Sequence, residues 1–163
     1  MADLRRADLE RTFEVASADE TFALGDRLGR VLEPGDFVGM VGELGAGKTL
    51  LVRGVARGAG VPERQVSSPS FAIVNPYQGR LAIFHADLYR LADLDELYAT
   101  GFFDLVGKDG AMLVEWLDKV PEAAPPTFLR LTFEVTGESA RRIHAEAFGE
   151  RPRALLEAWA ALV

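Results

Sequence analysis

The stretch Gly42-Glu43-Leu44-Gly45-Ala46-Gly47-Lys48-Thr49 constrains this chain more than any other. It matches the pattern G-x-x-x-x-G-K-[ST] at every fixed position. The spacing has a physical reason. Glycines at 42, 45 and 47 allow turns closed to residues with side chains and leave amide N–H groups free to face phosphate oxygens. A helix that starts at the end of the loop adds its partly positive N-terminus. In such a loop Lys48 reaches the β- and γ-phosphates and the Thr49 hydroxyl ligates Mg²⁺.

The flanks agree with the motif. Pro34-Gly35-Asp36 reads as a turn and Phe37–Val41 as a short, fully buried strand. Thr49–Ala56 reads as a helix that ends near Gly58 or Gly60. The 163 residues, 48% hydrophobic and 26% charged, suit a single globular domain over 1–163. No apolar run is long enough to span a membrane, and the charged N-terminus lacks the apolar centre of a signal peptide. Cysteine is absent, which excludes disulfides and thiolate metal sites and fits a cytoplasmic location. A net charge of −7 argues against a protein whose main task is gripping a nucleic-acid backbone.

In chain order, residues 1–10 read as a mobile or weakly helical extension and Arg11–Ala16 as an edge strand. Ser17 and Glu20 have capping-box spacing before a helix whose inner face carries Phe22, Leu24, Leu28 and Val31. Phe71–Tyr77 and Arg80–Asp87 form a predicted hairpin, with Gly79 supplying a positive φ in the turn. Asp93 caps a short helix that Gly101 ends. Ala111–Glu115 reads as a buried strand, Pro121–Pro126 as a rigid loop, Phe128–Val135 and Arg142–Phe148 as paired strands, and Arg151–Val163 as a helix.

A phosphate loop needs a carboxylate near Mg²⁺, and open α/β sheets place ligands beyond the carboxyl ends of their strands. Asp87 and Glu115 both stand at such ends. Asp87 is assigned to Mg²⁺, directly or through water, and Glu115 to the attacking water as base or orienter. Ser68-Pro69-Ser70-Phe71 lies where nucleotide-sensing segments often sit, so the Ser70 hydroxyl is a candidate contact for Mg²⁺ or the γ-phosphate, although the residues alone favour a plain Ser-Pro turn. His85, Tyr89 and Trp116 read equally well as packing residues.

Taken in order, Gly42–Thr49, Ser68–Phe71, His85-Ala86-Asp87-Leu88-Tyr89-Arg90 and Glu115-Trp116 resemble the TsaE (YjeE) family, small bacterial P-loop ATPases of tRNA threonylcarbamoyladenosine synthesis. The resemblance covers about residues 12–135 and implies a P-loop NTPase-like, three-layer α/β fold with a mixed, mainly parallel central sheet and a β-hairpin. It implies ATP and Mg²⁺ as ligands, held by the loop from Glu43 through Leu44, Gly45, Ala46, Gly47, Lys48 and Thr49 to Leu50, with Ser70. Thr49, Asp87 and Glu115 are the implied metal ligands, and Lys48 and Glu115 the catalytic groups. TsaD and TsaB are the implied protein partners, with tRNA reached only through them and a monomer the favoured state. The family pattern usually has Thr where this chain has Ser70, so the hydroxyl is kept and the methyl lost.

A signalling GTPase needs an N-K-x-D segment to read guanine, and Asn75, the chain's only asparagine, is followed by Pro76. Asp104-Leu105-Val106-Gly107 matches D-x-x-G, but only Phe102 and Phe103 separate it from Gly101, too few for the strand that motif ends. A small-molecule kinase needs a lid, and no compact arginine-rich lid is visible. The kinase therefore stays a weak alternative, and a non-enzymatic module whose shape ATP merely sets is the other, against which Glu115 argues.

Overall fold

The computed structural model describes residues 5–66, 73–107 and 109–163. Seven strands form one sheet in the order β1-β7-β6-β2-β5-β4-β3. They are β1 (Leu9–Val15), β2 (Phe37–Val41), β3 (Val74–Gln78), β4 (Ala82–Asp87), β5 (Gly110–Glu115), β6 (Phe128–Val135) and β7 (Arg141–Phe148). β2 pairs in parallel with β5 and β6, and β4 with β5, whereas β1·β7, β6·β7 and β3·β4 are antiparallel. Only β3 and β7 therefore oppose the common direction, which gives the expected mixed, mostly parallel sheet.

Among the described residues four α-helices complete the fold: α1 (Ala18–Val31), α2 (Lys48–Gly58), α3 (Leu94–Ala99) and α4 (Glu150–Ala160). Strand periodicity sorts the core into two layers. On β2 and β5, Val38, Met40, Ala111 and Leu113 join a cluster with Leu24 and Leu28 of α1, Val52 and Val55 of α2 and Trp159 of α4. Phe37, Met112 and Val114 face the other way, toward Leu97 of α3, Phe102, Leu117 and Val120. Every residue of β5 is buried, as expected of a central parallel strand covered on both faces. Trp159 Nε1 donates to the Leu24 carbonyl at 3.0 Å, which ties α4 to α1. Among the described residues no helix is long and apolar enough to cross a membrane.

The structure corrects three local expectations. The chain is already engaged at Arg5, whose guanidinium donates to the Pro126 carbonyl at 2.6 Å, and β1 starts at Leu9. Asp8 N donates to Ala147 O at 2.8 Å and the Asp8 carboxylate accepts from Gly149 N at 2.7 Å. Residues 8–10 thus join the edge pairing with β7, and Arg5 is held by its side chain, so residues 5–10 do not form a free extension. Gly79 does not take a positive φ. It is needed for close approach, since a Cβ there would lie 2.3 Å from the Ala59 carbonyl oxygen. On α1, Phe22 and Val31 are only half-buried, and the buried stripe is Thr21, Leu24, Gly25, Leu28 and Gly29. Ser17 caps α1, its Oγ accepting from Glu20 N at 3.2 Å, and Glu20 reaches back one residue past the cap to accept from Ala16 N at 2.9 Å.

Candidate nucleotide site

β2 delivers the loop 42–47 to the C-terminal edge of the sheet, and α2 begins at Lys48. Gly45 and Gly47 occupy left-handed conformations at φ 81° and 102°, which side-chain-bearing residues rarely adopt. Gly42 is fixed by proximity, since a Cβ there would stand 2.9 Å from Phe133 Cβ. No side chain caps α2, so the N–H groups of its first turn are left for a ligand. The loop opens onto a cavity of about 370 Å³ lined by residues 44–50, Asp87, Glu115 and Trp116 on one side. Thr21 of α1, Ser139 of the β6–β7 turn and Arg141 at the start of β7 line the other.

Lys48 is buried, and its ammonium donates to the carbonyls of Gly42 and, at 2.8 Å, of Glu43. It also lies 4.0 Å from the centre of the Trp116 ring. Burial lowers its pKa, while the charges of Glu115, Asp118, Asp87 and Glu43 act the other way. Trp116 holds this position at φ 59°, the one positive φ outside glycine among the described residues. Tyr89 packs on the outer side of Trp116, 4.8 Å between ring centres, and is 49% exposed. Tyr89 is therefore a surface residue, not a core one.

The two carboxylates face each other across neighbouring strands, Asp87 of β4 in register with Glu115 of β5. Glu115 is buried and fully engaged: Thr49 Oγ1 donates to Oε1 at 2.8 Å, and His85 Nε2 lies 2.6 Å from Oε2. It is thus Glu115 that directly meets the hydroxyl of the phosphate loop. Asp87 keeps solvent access at the strand exit and accepts from Tyr89 N at 3.0 Å. The protein around it still raises its carboxyl pKa by withdrawing water, an effect that the Tyr89 N–H opposes and the Glu115 charge reinforces.

A hydroxyl and two carboxylates are hard oxygen donors, the set that suits Mg²⁺. Beside them lie glycine backbone with left-handed turns, an uncapped helix N-terminus and a buried ammonium, a combination that fits a polyphosphate. The residues present therefore fit both groups. Of the residues expected here, Leu44 to Leu50, Asp87 and Glu115 line the cavity. Glu43 serves through its carbonyl, and Ser70 lies outside the described residues.

Sequence reasoning missed the contribution of the β6–β7 turn. Arg141 donates to the carbonyls of Ala46 at 3.2 Å and Gly45 at 3.1 Å, and its other nitrogen holds Ala140 O at 2.8 Å and Gly137 O at 3.0 Å. It clamps the phosphate loop to a hairpin turn nearly a hundred residues away. The only local signal is an arginine just after a glycine turn, which does not say what the arginine reaches.

The model of the family "Threonylcarbamoyl adenosine biosynthesis protein TsaE" matches residues 15–143. A tRNA threonylcarbamoyladenosine biosynthesis protein TsaE from Treponema pallidum (strain Nichols) is 36% identical over 127 residues, 78% of this chain and 93% of that protein. The protein of that name from Bacillus subtilis (strain 168) is 34% identical over 146 residues, 89% of this chain and 90% of its own length. Among solved structures, Bacillus subtilis YdiB superposes with a TM-score of 0.79 at 28% identity, covering 94% of this chain and 95% of YdiB. The chain belongs to the TsaE family of tRNA threonylcarbamoyladenosine biosynthesis.

Proposed function

We propose that this protein is a Mg²⁺-dependent ATPase that supports tRNA modification by acting on the TsaB–TsaD complex. The observation that carries the ATPase reading is Glu115, a buried carboxylate at a strand end beside an intact phosphate loop and hydrogen-bonded to Thr49 at 2.8 Å. The loop amides and Lys48 would hold the phosphates, and Thr49, Glu115 and Asp87 would hold the metal. Mg²⁺ supplies neutralisation of phosphate charge. Glu115 also orients the water that attacks the γ-phosphate, with Lys48 countering the charge that develops there. The partner assignment comes from the family resemblance and agrees with the net charge of −7, which suits docking on an RNA-holding protein better than gripping RNA itself.

The test is ATP binding and turnover by the parent and by Lys48→Ala. Loss of a charge-assisted contact should weaken binding or turnover at least about tenfold. Unchanged affinity and turnover in that variant would refute the reading. ATP binding without hydrolysis, alone or with TsaB–TsaD, would instead indicate a nucleotide-gated module, and GTP bound as well as ATP would count against adenine preference.

A further inference from the structure

Glu115 is 3% exposed, and a carboxylate so buried is stable only when both of its oxygens find donors. Thr49 supplies one and His85 the other. The ring of His85 is itself held from behind, since Tyr77 Oη lies 3.4 Å from Nδ1 and the two rings are 6.1 Å apart. Pro76 and Tyr77 of β3 pair with Phe84 and Ile83 of β4, so the hairpin brings the phenol to the histidine. The series Tyr77, His85, Glu115, Thr49 therefore runs from the sheet edge to the phosphate loop. Nothing in the ATPase reading uses its first two members.

The direction of the bonds follows from the donors. Burial, reinforced by the Glu115 charge, raises the Tyr77 phenol pKa, so its oxygen keeps its proton and can donate. A neutral imidazole that accepts at Nδ1 carries its hydrogen on Nε2, the atom that faces Glu115. That N–H holds Oε2 and leaves Oε1 turned to Thr49. Oriented partners behind a ligating or catalytic carboxylate fix its rotamer, and removing one typically costs about 10–100-fold in affinity or activity.

We propose that His85 is a positioning residue for Glu115, its ring seated between Tyr77 and the carboxylate, and that its Nε2–H aims the carboxylate at Thr49 and the phosphate loop. The kinetic part rests on the ATPase reading above; the tautomer part does not. The chain has two histidines, so ring-nitrogen NMR of ¹⁵N-histidine protein shows two rings, and His85→Gln assigns them. At mildly alkaline pH, without nucleotide or metal, His85 should show the Nε2–H form, because the buried Glu115 carboxylate accepts from Nε2, and Tyr77→Phe should keep that form. A parent ring protonated on Nδ1 alone overturns the proposal. In ATP turnover, His85→Leu should lose kcat about tenfold or more with KM changed less than about threefold, and His85→Gln, whose amide can reach the same oxygen, should recover most of it. Parent-like turnover in His85→Leu, or equal loss in Leu and Gln variants that melt like the parent, overturns it too. A parent that hydrolyses no ATP would refute the ATPase reading, leaving the NMR result to decide the histidine.

Discussion

Asp87 illustrates how a site residue opposes the fold that displays it. Its folded-state pKa is raised, chiefly by desolvation. The sign follows from linkage: a carboxyl with a raised folded pKa favours folding most below its unfolded pKa, and that contribution is lost as pH rises through the folded value. At neutral pH the charged Asp87 therefore destabilises the protein when no metal is bound. Asp87→Asn keeps an oxygen for Tyr89 N and loses the charge. It should melt above the parent at neutral pH in a chelator, by less than about 1 kcal/mol because the residue is solvent-exposed, and the gap should close below the ordinary carboxylate range. A variant that melts lower at neutral pH would contradict this. The same substitution should weaken Mg²⁺-dependent nucleotide binding. At this scale the sequence was informative where chemistry sits in a contiguous pattern: Lys48 and Thr49 follow from the loop, and Asp87 and Glu115 from strand ends. It was silent where the partner is remote, as with Arg141 on Ala46 or Tyr77 behind His85, because no local spacing encodes which strands become neighbours.

The helices show the same limit. α1 and α2 touch through paired glycines, Gly25 and Gly29 on one and Gly54 and Gly58 on the other. A Cβ on Gly25 would lie 2.3 Å from Leu51 O, and one on Gly29 2.1 Å from Val55 O. In return, Cβ atoms on Gly54 and Gly58 would lie 2.1 Å from Phe22 O and 1.9 Å from Asp26 O. Backbone meets backbone, so no side chain can move aside. The four-residue glycine spacing on both helices was visible, but a reading that follows apolar side chains put Phe22 and Val31 on the inner face. Strand identities were legible because β2 and β5 are continuous apolar runs, and the β6–β7 pair was legible from its alternation. The interlock has a functional consequence, since it seats the N-terminus of α2, and hence Lys48 and Thr49, against α1. Gly54→Ala should force the helices apart and cost about 1–3 kcal/mol, despite alanine's better helix propensity, seen as a lower melting temperature. A stability equal to or above the parent would show that the contact yields freely.

At the scale of the whole molecule, the candidate nucleotide site lies open at the C-terminal ends of the parallel strands, with apolar groups at its rim. Leu44 of the phosphate loop is 80% exposed, and Tyr89, two residues past Asp87, is 49% exposed. Both adjoin groups expected to contact phosphate or metal, so a partner seated on this edge would sense what the loop holds. Under the proposed function, ATP changes the affinity for TsaB–TsaD, and thermodynamic reciprocity then requires the complex to change the affinity for ATP by the same factor. The ligand can shift the assembly only by as much as its affinity differs between free and docked protein. Coupling of ordinary strength is about 5–150-fold. Two titrations measure it independently on the unaltered protein, with a non-hydrolysable ATP analogue in place of ATP: TsaB–TsaD into this protein with the analogue or ADP present, and each nucleotide into the protein with and without saturating TsaB–TsaD. We expect ATP to favour docking over ADP by at least about fivefold, and the same ratio to return from the nucleotide titrations. Affinities equal for the two nucleotides in both arms would mean that the nucleotide does not govern this assembly.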